Sequence, residues 1–213
     1  MEGPWAAKSG ITICRFLLAL KYLKSYHEIM NPIFTHLQNR SLAHVMRFSS
    51  WPQHFPESVA EHSFFTAYFT SILSYLLQKA GESIDAGKAV QMALVHDMEE
   101  TFSGDILGPF KHYSPELSRA IRKVNEETIL EVFEGLPADL RDYYILLWKE
   151  EGSGESLEAE IVKVADKLSL LAKCLEEMNA GNGCMGKVYE ESRKKLEEYE
   201  APWWQKIKSQ ILA

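Results

Sequence analysis

The chain has 213 residues, 46% of them hydrophobic, and a formal charge of −7. Such a length and apolar content suit one large domain with a substantial core. The negative balance argues against a surface that tracks a nucleic-acid backbone, which needs a basic field, so a small substrate or a protein partner is expected instead. The three cysteines, Cys14, Cys174 and Cys184, are odd in number and lack C-x-x-C spacing. Neither a disulfide framework nor a thiolate zinc site is supported, and a reducing, cytoplasmic setting is expected.

Residues 1–30 hold a short apolar run, Ile11 to Leu20, interrupted by Arg15 and flanked by Lys8, Lys21 and Lys24. The run is too short to span a bilayer, and no small-residue cleavage site follows it. It reads as an accessory helix or extension, with an organelle-targeting peptide as the alternative. The main domain is expected over residues 31–213. Asn31-Pro32 supplies an N-cap with proline at the first helical position, which predicts a helix from there towards His44. Arg47 then leads into Phe48 to Pro56, a segment with two prolines and several aromatic residues, including Phe48 and Trp51. It suits either the lip of a pocket or an ordinary packed loop.

Ser58-Val-Ala-Glu61 has the form of a capping box, which gives Glu61 a structural role. The helix it opens carries His62, Phe65, Phe69, Leu73 and Leu76 at spacings of 3, 4, 4 and 3. His62 therefore lies on the first turn of an expected buried stripe, either as a hydrogen-bonded core histidine or as a ligand. Gly81 ends that helix and Ser83 or Asp85 starts the next, predicted to run to Gly104. On it Ala89, Met92, Ala93, His96 and Glu100 share one face, beside Val90, Leu94, Asp97 and Thr101. An adjacent His96-Asp97 pair in an apolar run is costly to desolvate unless compensated, and a divalent cation is the commonest compensation. Gly104 is expected to turn left-handed and fold Asp105 back beside Glu100, while Glu99 reads as solvated surface.

The loop at Gly108-Pro109 carries Lys111. Ser114-Pro115 and Pro137 open two helices with polar outer faces, to about Phe133 and through Trp148. After the Gly152-Ser-Gly154 break, Leu157, Ile161, Val164, Leu168, Leu171, Leu175 and Met178 form the apolar stripe of a long helix. Asp166 lies roughly 160° from that stripe at 100° per residue, with Ala159, Val162, Ser169 and Leu170. It is either an acid directed inward from a helix packed on two sides or a surface aspartate. A charged helix and Pro202-Trp203-Trp204 close the chain, the tryptophans either docking the tail or meeting a second copy. With no strand-period run, an all-α fold is expected.

His62, His96, Asp97 and Asp166 thus come from three helices and compose a plausible site of two histidines and two carboxylates. Nitrogen and oxygen donors without thiolate suit one divalent ion such as Mn²⁺ or Co²⁺. The ordered set resembles the HD-domain metal-dependent phosphohydrolases. A closer resemblance lies in Arg47, Glu57-Ser-Val-Ala-Glu-His-Ser63, His96-Asp97-x-x-Glu100-x-x-x-Gly104-Asp105, Ala165-Asp166-Lys-Leu and Lys173-Cys-Leu-Glu-Glu-Met-x-Ala-Gly-Asn182. From about Asn31 to Arg193 these motifs are similar to those of the bacterial HD-domain 5′-deoxynucleotidases.

The resemblance implies an HD-domain helical bundle with additional flanking helices, working as a homodimer that releases phosphate from nucleoside 5′-monophosphates. It also implies His62, His96, Asp97 and Asp166 as metal ligands, Glu100 and Asp105 as the acidic pair near the attacking water and substrate, and Arg47 as a phosphate contact. Phe48 stands where these nucleotidases carry a tryptophan near the sugar, with Trp51 three residues on. Phe48, Trp51, Asp105 and Lys111 are accordingly further candidate substrate contacts. Action on another nucleotide, of the guanosine tetraphosphate or phosphodiester type, is the enzymatic alternative. A metal-stabilised interaction module without catalysis is the other.

Overall fold

The computed structural model describes residues 31–212. Both readings of residues 1–30 lie outside the described residues. The chain divides into two compact units, residues 1–39 and 40–213, each described by itself. In the first, helix α1 (Pro32–Leu37) is capped by Asn31, whose side chain accepts from the Ile33 N–H at 2.9 Å. It stops after six residues instead of running towards His44.

The described part of the second unit is built from helices, with one isolated antiparallel bridge between Met46 and Ser58. Its longer helices are α2 (Val59–Lys79), α3 (Ala86–Val95), α6 (Pro115–Val132), α7 (Ala138–Ser153), α8 (Leu157–Asn179) and α9 (Gly186–Glu197). Short helices α4 (Glu100–Ser103) and α5 (Gly108–Lys111) join α3 to α6, and α10 (Pro202–Ile207) closes the chain. The expected capping box starts α2: Ser58 Oγ accepts from the Glu61 N–H at 3.2 Å, and Glu61 Oε2 accepts from the Ser58 N–H at 2.7 Å.

Two hydrophobic clusters share α2 and α8. One joins Ala67, Met92, Ile129, Phe133, Leu147, Ala159 and Val162; the other joins Leu73, Leu77, Ile161, Val164, Leu171, Leu196 and Trp204. The long helix α8 is therefore packed on two sides. The tryptophan pair docks the tail on the body: both rings are buried, and the Trp204 indole N–H donates to the Leu196 carbonyl at 2.9 Å.

Several boundaries and faces differ from the sequence expectation. The buried face of α2 consists of Val59, His62, Ser63, Thr66, Ala67, Thr70, Leu73, Ser74 and Leu77, whereas Phe65 is exposed. Small and hydroxyl-bearing residues let α3 and α8 approach this face closely, and the large aromatic rings are displaced outward. On α8, Cys174 is buried and Leu175 exposed, so the apolar stripe ends a turn early. Helix α7 passes Gly152 and stops only at Gly154, which takes a left-handed φ of 68°. The largest departure is at the site itself, where α3 ends at Val95.

Candidate active site

Beyond Val95 the backbone tightens. Met98 N–H donates to Val95 O, Glu100 N–H to Asp97 O and Thr101 N–H to Met98 O, each three residues back instead of four. This 3₁₀-like spacing advances the chain by about 120° per residue, so the faces drawn on a continuous α-helix no longer hold. His96 and Glu99 now fall on the same side. Gly104 does turn with positive φ, 71°, but its ψ of 171° is extended, not the left-handed helical value expected.

The structure brings His62, His96, Asp97 and Asp166 together. His62 Nε2 lies 3.1 Å from Asp166 Oδ1 and 3.6 Å from Asp97 Oδ2, and His96 Nε2 lies 3.1 Å from Asp97 Oδ2. One donor atom each from His62, His96 and Asp166 falls within 4.8 Å of the others. Both Nε2 atoms are buried, yet neither has a hydrogen-bond partner, because the ring directions miss the nearby oxygens. Buried polar atoms are almost always satisfied. Two buried imidazole nitrogens aimed past their carboxylates therefore fit a cation between them, with all four side chains able to hold it.

The outward nitrogen of His96 supports the same reading. His96 Nδ1 lies 2.8 Å from the Ala93 carbonyl, which can only accept, so Nδ1 carries the proton and a neutral ring leaves Nε2 bare. His62 Nδ1 lies 3.0 Å from Ser169 Oγ and 2.9 Å from Arg47 Nη1; donating to Ser169 would free Nε2, whereas accepting from Arg47, which can only donate, would leave the ring proton on Nε2, so Nε2 is free for a cation only where the Ser169 contact prevails. Burial would lower the His96 pKa, but the Asp97 charge, with Asp166 behind it, pushes it up to about 10. Asp97 and Asp166, 21% and 42% exposed at their side chains, are held below the usual carboxylate range by the facing histidines against the partial desolvation that acts in the opposite direction. The carboxylates thus favour positive charge on the rings, the charge that a divalent cation would supply in its place.

Glu100 starts α4 beside these groups and is 9% exposed. Burial first, then the carboxylates of Asp97, Asp105 and Glu99, pushes its pKa up to about 9. Asp105 does not bond to Glu100; its Oδ2 accepts from the Phe48 N–H at 3.1 Å. Glu99, expected on the solvated surface, is 5% exposed, and its Oε2 accepts from the Trp148 indole N–H at 2.7 Å. Burial, reinforced by the Asp97 charge, pushes it up to about 7. The tightened turn after Val95 carries it inward with His96. Lys111 lines a cleft of about 760 Å³ that opens on His96 and Glu99, with Asn125 and Trp148 in its wall.

Arg47 stands at the entry to the aromatic loop. Its Nη1 donates to Glu57 Oε2 at 2.7 Å, and its guanidinium lies 5.3 Å from the centroid of the Phe48 ring. Burial would lower its pKa, but Asp166, Glu57 and Asp97 hold it up, so a full positive charge faces the carboxylate cluster. Phe48 has φ of 52°, a region that non-glycine residues rarely occupy and that costs about 1–3 kcal/mol. Asp105 holds its N–H, and Gln53 Nε2 donates to its carbonyl at 3.2 Å and to that of Arg47 at 2.8 Å. The Phe48 and Trp51 rings lie 6.2 Å apart.

Sequence reasoning singled out the Lys173 to Asn182 run only as part of a motif. In the structure Glu177 is fully buried and receives four donors, the backbone N–H groups of His54 and Phe55 and the side chains of Lys173 and Asn182. Burial would raise the Glu177 pKa; these hydrogen bonds hold it at about 2. The available signal was a Lys-Glu pair four residues apart on the Asp166 face of a long helix, opposite the main apolar stripe, the second side on which that helix is packed.

The chain is similar to known proteins over most of its length. The family profile described as 5′-deoxynucleotidase YfbR-like matches residues 33–212. A 5′-deoxynucleotidase of Vibrio vulnificus (strain YJ016) is 32% identical over 151 residues, covering 70% of this chain and 76% of the relative. One from Photorhabdus temperata is 31% identical over 157 residues, covering 72% and 77%. Among solved structures, an HD-domain phosphohydrolase from Listeria innocua superposes with a TM-score of 0.72 at 28% identity, covering 84% of this chain and 86% of that one.

Proposed function

The chain belongs to the YfbR-like 5′-deoxynucleotidase family, and we propose on that premise how its own residues carry out metal-dependent hydrolysis of deoxynucleoside 5′-phosphates. His62, His96, Asp97 and Asp166 hold one divalent cation, of the Mn²⁺ or Co²⁺ kind. The observation that carries this reading is the pair of buried, unbonded Nε2 atoms facing Asp97 and Asp166. A divalent ion bound there supplies Lewis acidity towards a phosphoryl oxygen and lowers the pKa of water.

Arg47 presents a charged fork to the substrate phosphate. Glu100 accepts the proton of the attacking water from its ionised form, which a divalent cation held by Asp97 and its neighbours would favour by offsetting the Asp97 charge that, after burial, raises its pKa. Asp105 acts first on the protein, by fixing the Phe48 backbone, and can meet the sugar with its free oxygen. Phe48 and Trp51 flank the sugar, and Lys111 reaches the substrate from the cleft side.

We further propose that the protein works in the cytoplasm as a homodimer. Cys174 and Cys184 are free thiols, and no described helix is long and apolar enough to cross a membrane. Phe64, Phe65, Tyr68, Ile72 and Tyr75 are all exposed along α2, the kind of apolar row that marks a contact surface.

Phosphate release from a panel of deoxy- and ribonucleoside 5′-monophosphates, nucleoside diphosphates, cyclic nucleotides and guanosine tetraphosphate, with Mn²⁺ or Co²⁺ supplied, tests the substrate assignment. Deoxynucleoside 5′-monophosphates are expected to be hydrolysed fastest. Faster turnover of a cyclic or tetraphosphate nucleotide would move the protein to the other phosphohydrolase reading. Bound metal with no hydrolysis of any of them would make it an interaction module.

A further inference from the structure

The loop from Arg47 to Glu57 carries the proposed substrate contacts, and its geometry is fixed from outside the site. At its base Arg47 N–H donates to Glu57 O and Val59 N–H to Val45 O, both at 2.9 Å. Its far limb is held by α8 and the turn that follows. Asn182 Nδ2 donates to Pro52 O at 2.8 Å, Glu177 Oε2 accepts from His54 N–H at 2.8 Å, and Glu177 Oε1 accepts from Phe55 N–H at 2.9 Å. Lys173 Nζ donates to the Phe55 carbonyl and, at 2.8 Å, to Glu177 Oε1, while Asn182 Nδ2 also donates to Glu177 Oε2 at 2.9 Å.

These three residues are buried, with exposures of 4% for Lys173, 0% for Glu177 and 7% for Asn182. A carboxylate removed from water in this way is tolerated only when its lone pairs are met, and each Glu177 oxygen takes two donors. Between the clamped limb and the site, Gln53 ties the loop to the carbonyls of Arg47 and Phe48. The strained Phe48 backbone is thus held by Asp105 on one side and by the clamped loop on the other.

We infer that Lys173, Glu177 and Asn182 are positioning residues that set substrate affinity and sugar discrimination by fixing the loop bearing Arg47, Phe48 and Trp51. They touch neither the proposed metal ligands nor Glu100, so their effect falls on binding. The inference rests on the assignment of Arg47, Phe48 and Trp51 to the substrate.

Asn182→Ala removes the tie to Pro52 and one of the four donors to Glu177. Glu177→Gln is the stronger variant, in which Lys173 loses its buried counter-charge. For the metal-loaded Asn182→Ala protein, KM for a deoxynucleoside 5′-monophosphate is expected to rise by about tenfold, the effect of roughly one lost hydrogen bond. Its kcat should stay within about twofold, and the deoxy-to-ribo ratio of kcat/KM should fall. Amide exchange of the 47–57 segment should quicken. A purely structural defect would instead lower kcat with the folded fraction and leave KM in place.

Arg47→Ala is measured in parallel. If it raises KM while neither Asn182→Ala nor Glu177→Gln does, the inference is overturned and the assignment of the site stands. Unchanged KM in Arg47→Ala overturns the assignment and the inference with it. If Glu177→Gln does not fold, Asn182→Ala alone decides.

Discussion

Replacing Glu100 by alanine leaves the metal content of the protein unchanged and lowers phosphate release by about 10²- to 10⁴-fold, the span of a positioned general base. Glu100 is buried at the first position of α4, one turn beyond His96, and its carboxyl is pushed up to about 9 by burial and by Asp97, Asp105 and Glu99. It takes no part in the ion pairs that join His62, His96, Asp97 and Asp166, so its removal does not open that site. Glu100→Gln keeps the shape but cannot take a proton, and it should lose as much activity as the alanine variant. Turnover near the wild-type level in either protein, with metal bound, would remove Glu100 from the reaction.

Replacing His96 by alanine lowers metal affinity by more than about 100-fold, beyond the range typical of losing an outer hydrogen-bond partner, and abolishes turnover at limiting metal. The ring is fixed by the Ala93 carbonyl at one nitrogen and faces Asp97 with the other. Without it the partly buried Asp97 keeps its charge with less to compensate it, which also destabilises the folded protein. Ser169→Ala separates metal loss from misfolding. It removes only the hydroxyl 3.0 Å from His62 Nδ1, so the expected change is a 10- to 100-fold weaker metal site, of the order seen for outer-shell partners, in a folded protein. Analysis of bound metal by mass spectrometry reads both variants. Full metal occupancy at limiting concentrations in His96→Ala would contradict the ligand assignment.

Much of this was legible in the sequence, because local rules decided it. The capping box at Ser58-Glu61 and the Asn31 and Ser114 caps are each set by a few neighbouring residues. The placement of Asp166 opposite the main stripe followed from helical angles, and α8 is indeed packed on two sides. What was not legible depended on contacts distant in sequence. Helical periodicity assumes an unbroken helix, so it could not show the tightened turn after Val95 that carries Glu99 to Trp148, forty-nine residues away. It also assigned Phe65 to the core, where small residues of α2 win by allowing closer helix approach. The contacts of Glu177 with His54 and Phe55 join positions more than 120 residues apart, and no local pattern encodes them.

The central claim is that His62, His96, Asp97 and Asp166 form one metal centre on which hydrolysis depends. Its most direct test is to strip the purified protein with a chelator, return Mn²⁺ or Co²⁺ in steps, and follow phosphate release from a deoxynucleoside 5′-monophosphate against bound metal. The account predicts no release from the stripped protein and a linear rise to a plateau at one ion per chain. Undiminished release from protein shown to be free of metal would contradict it.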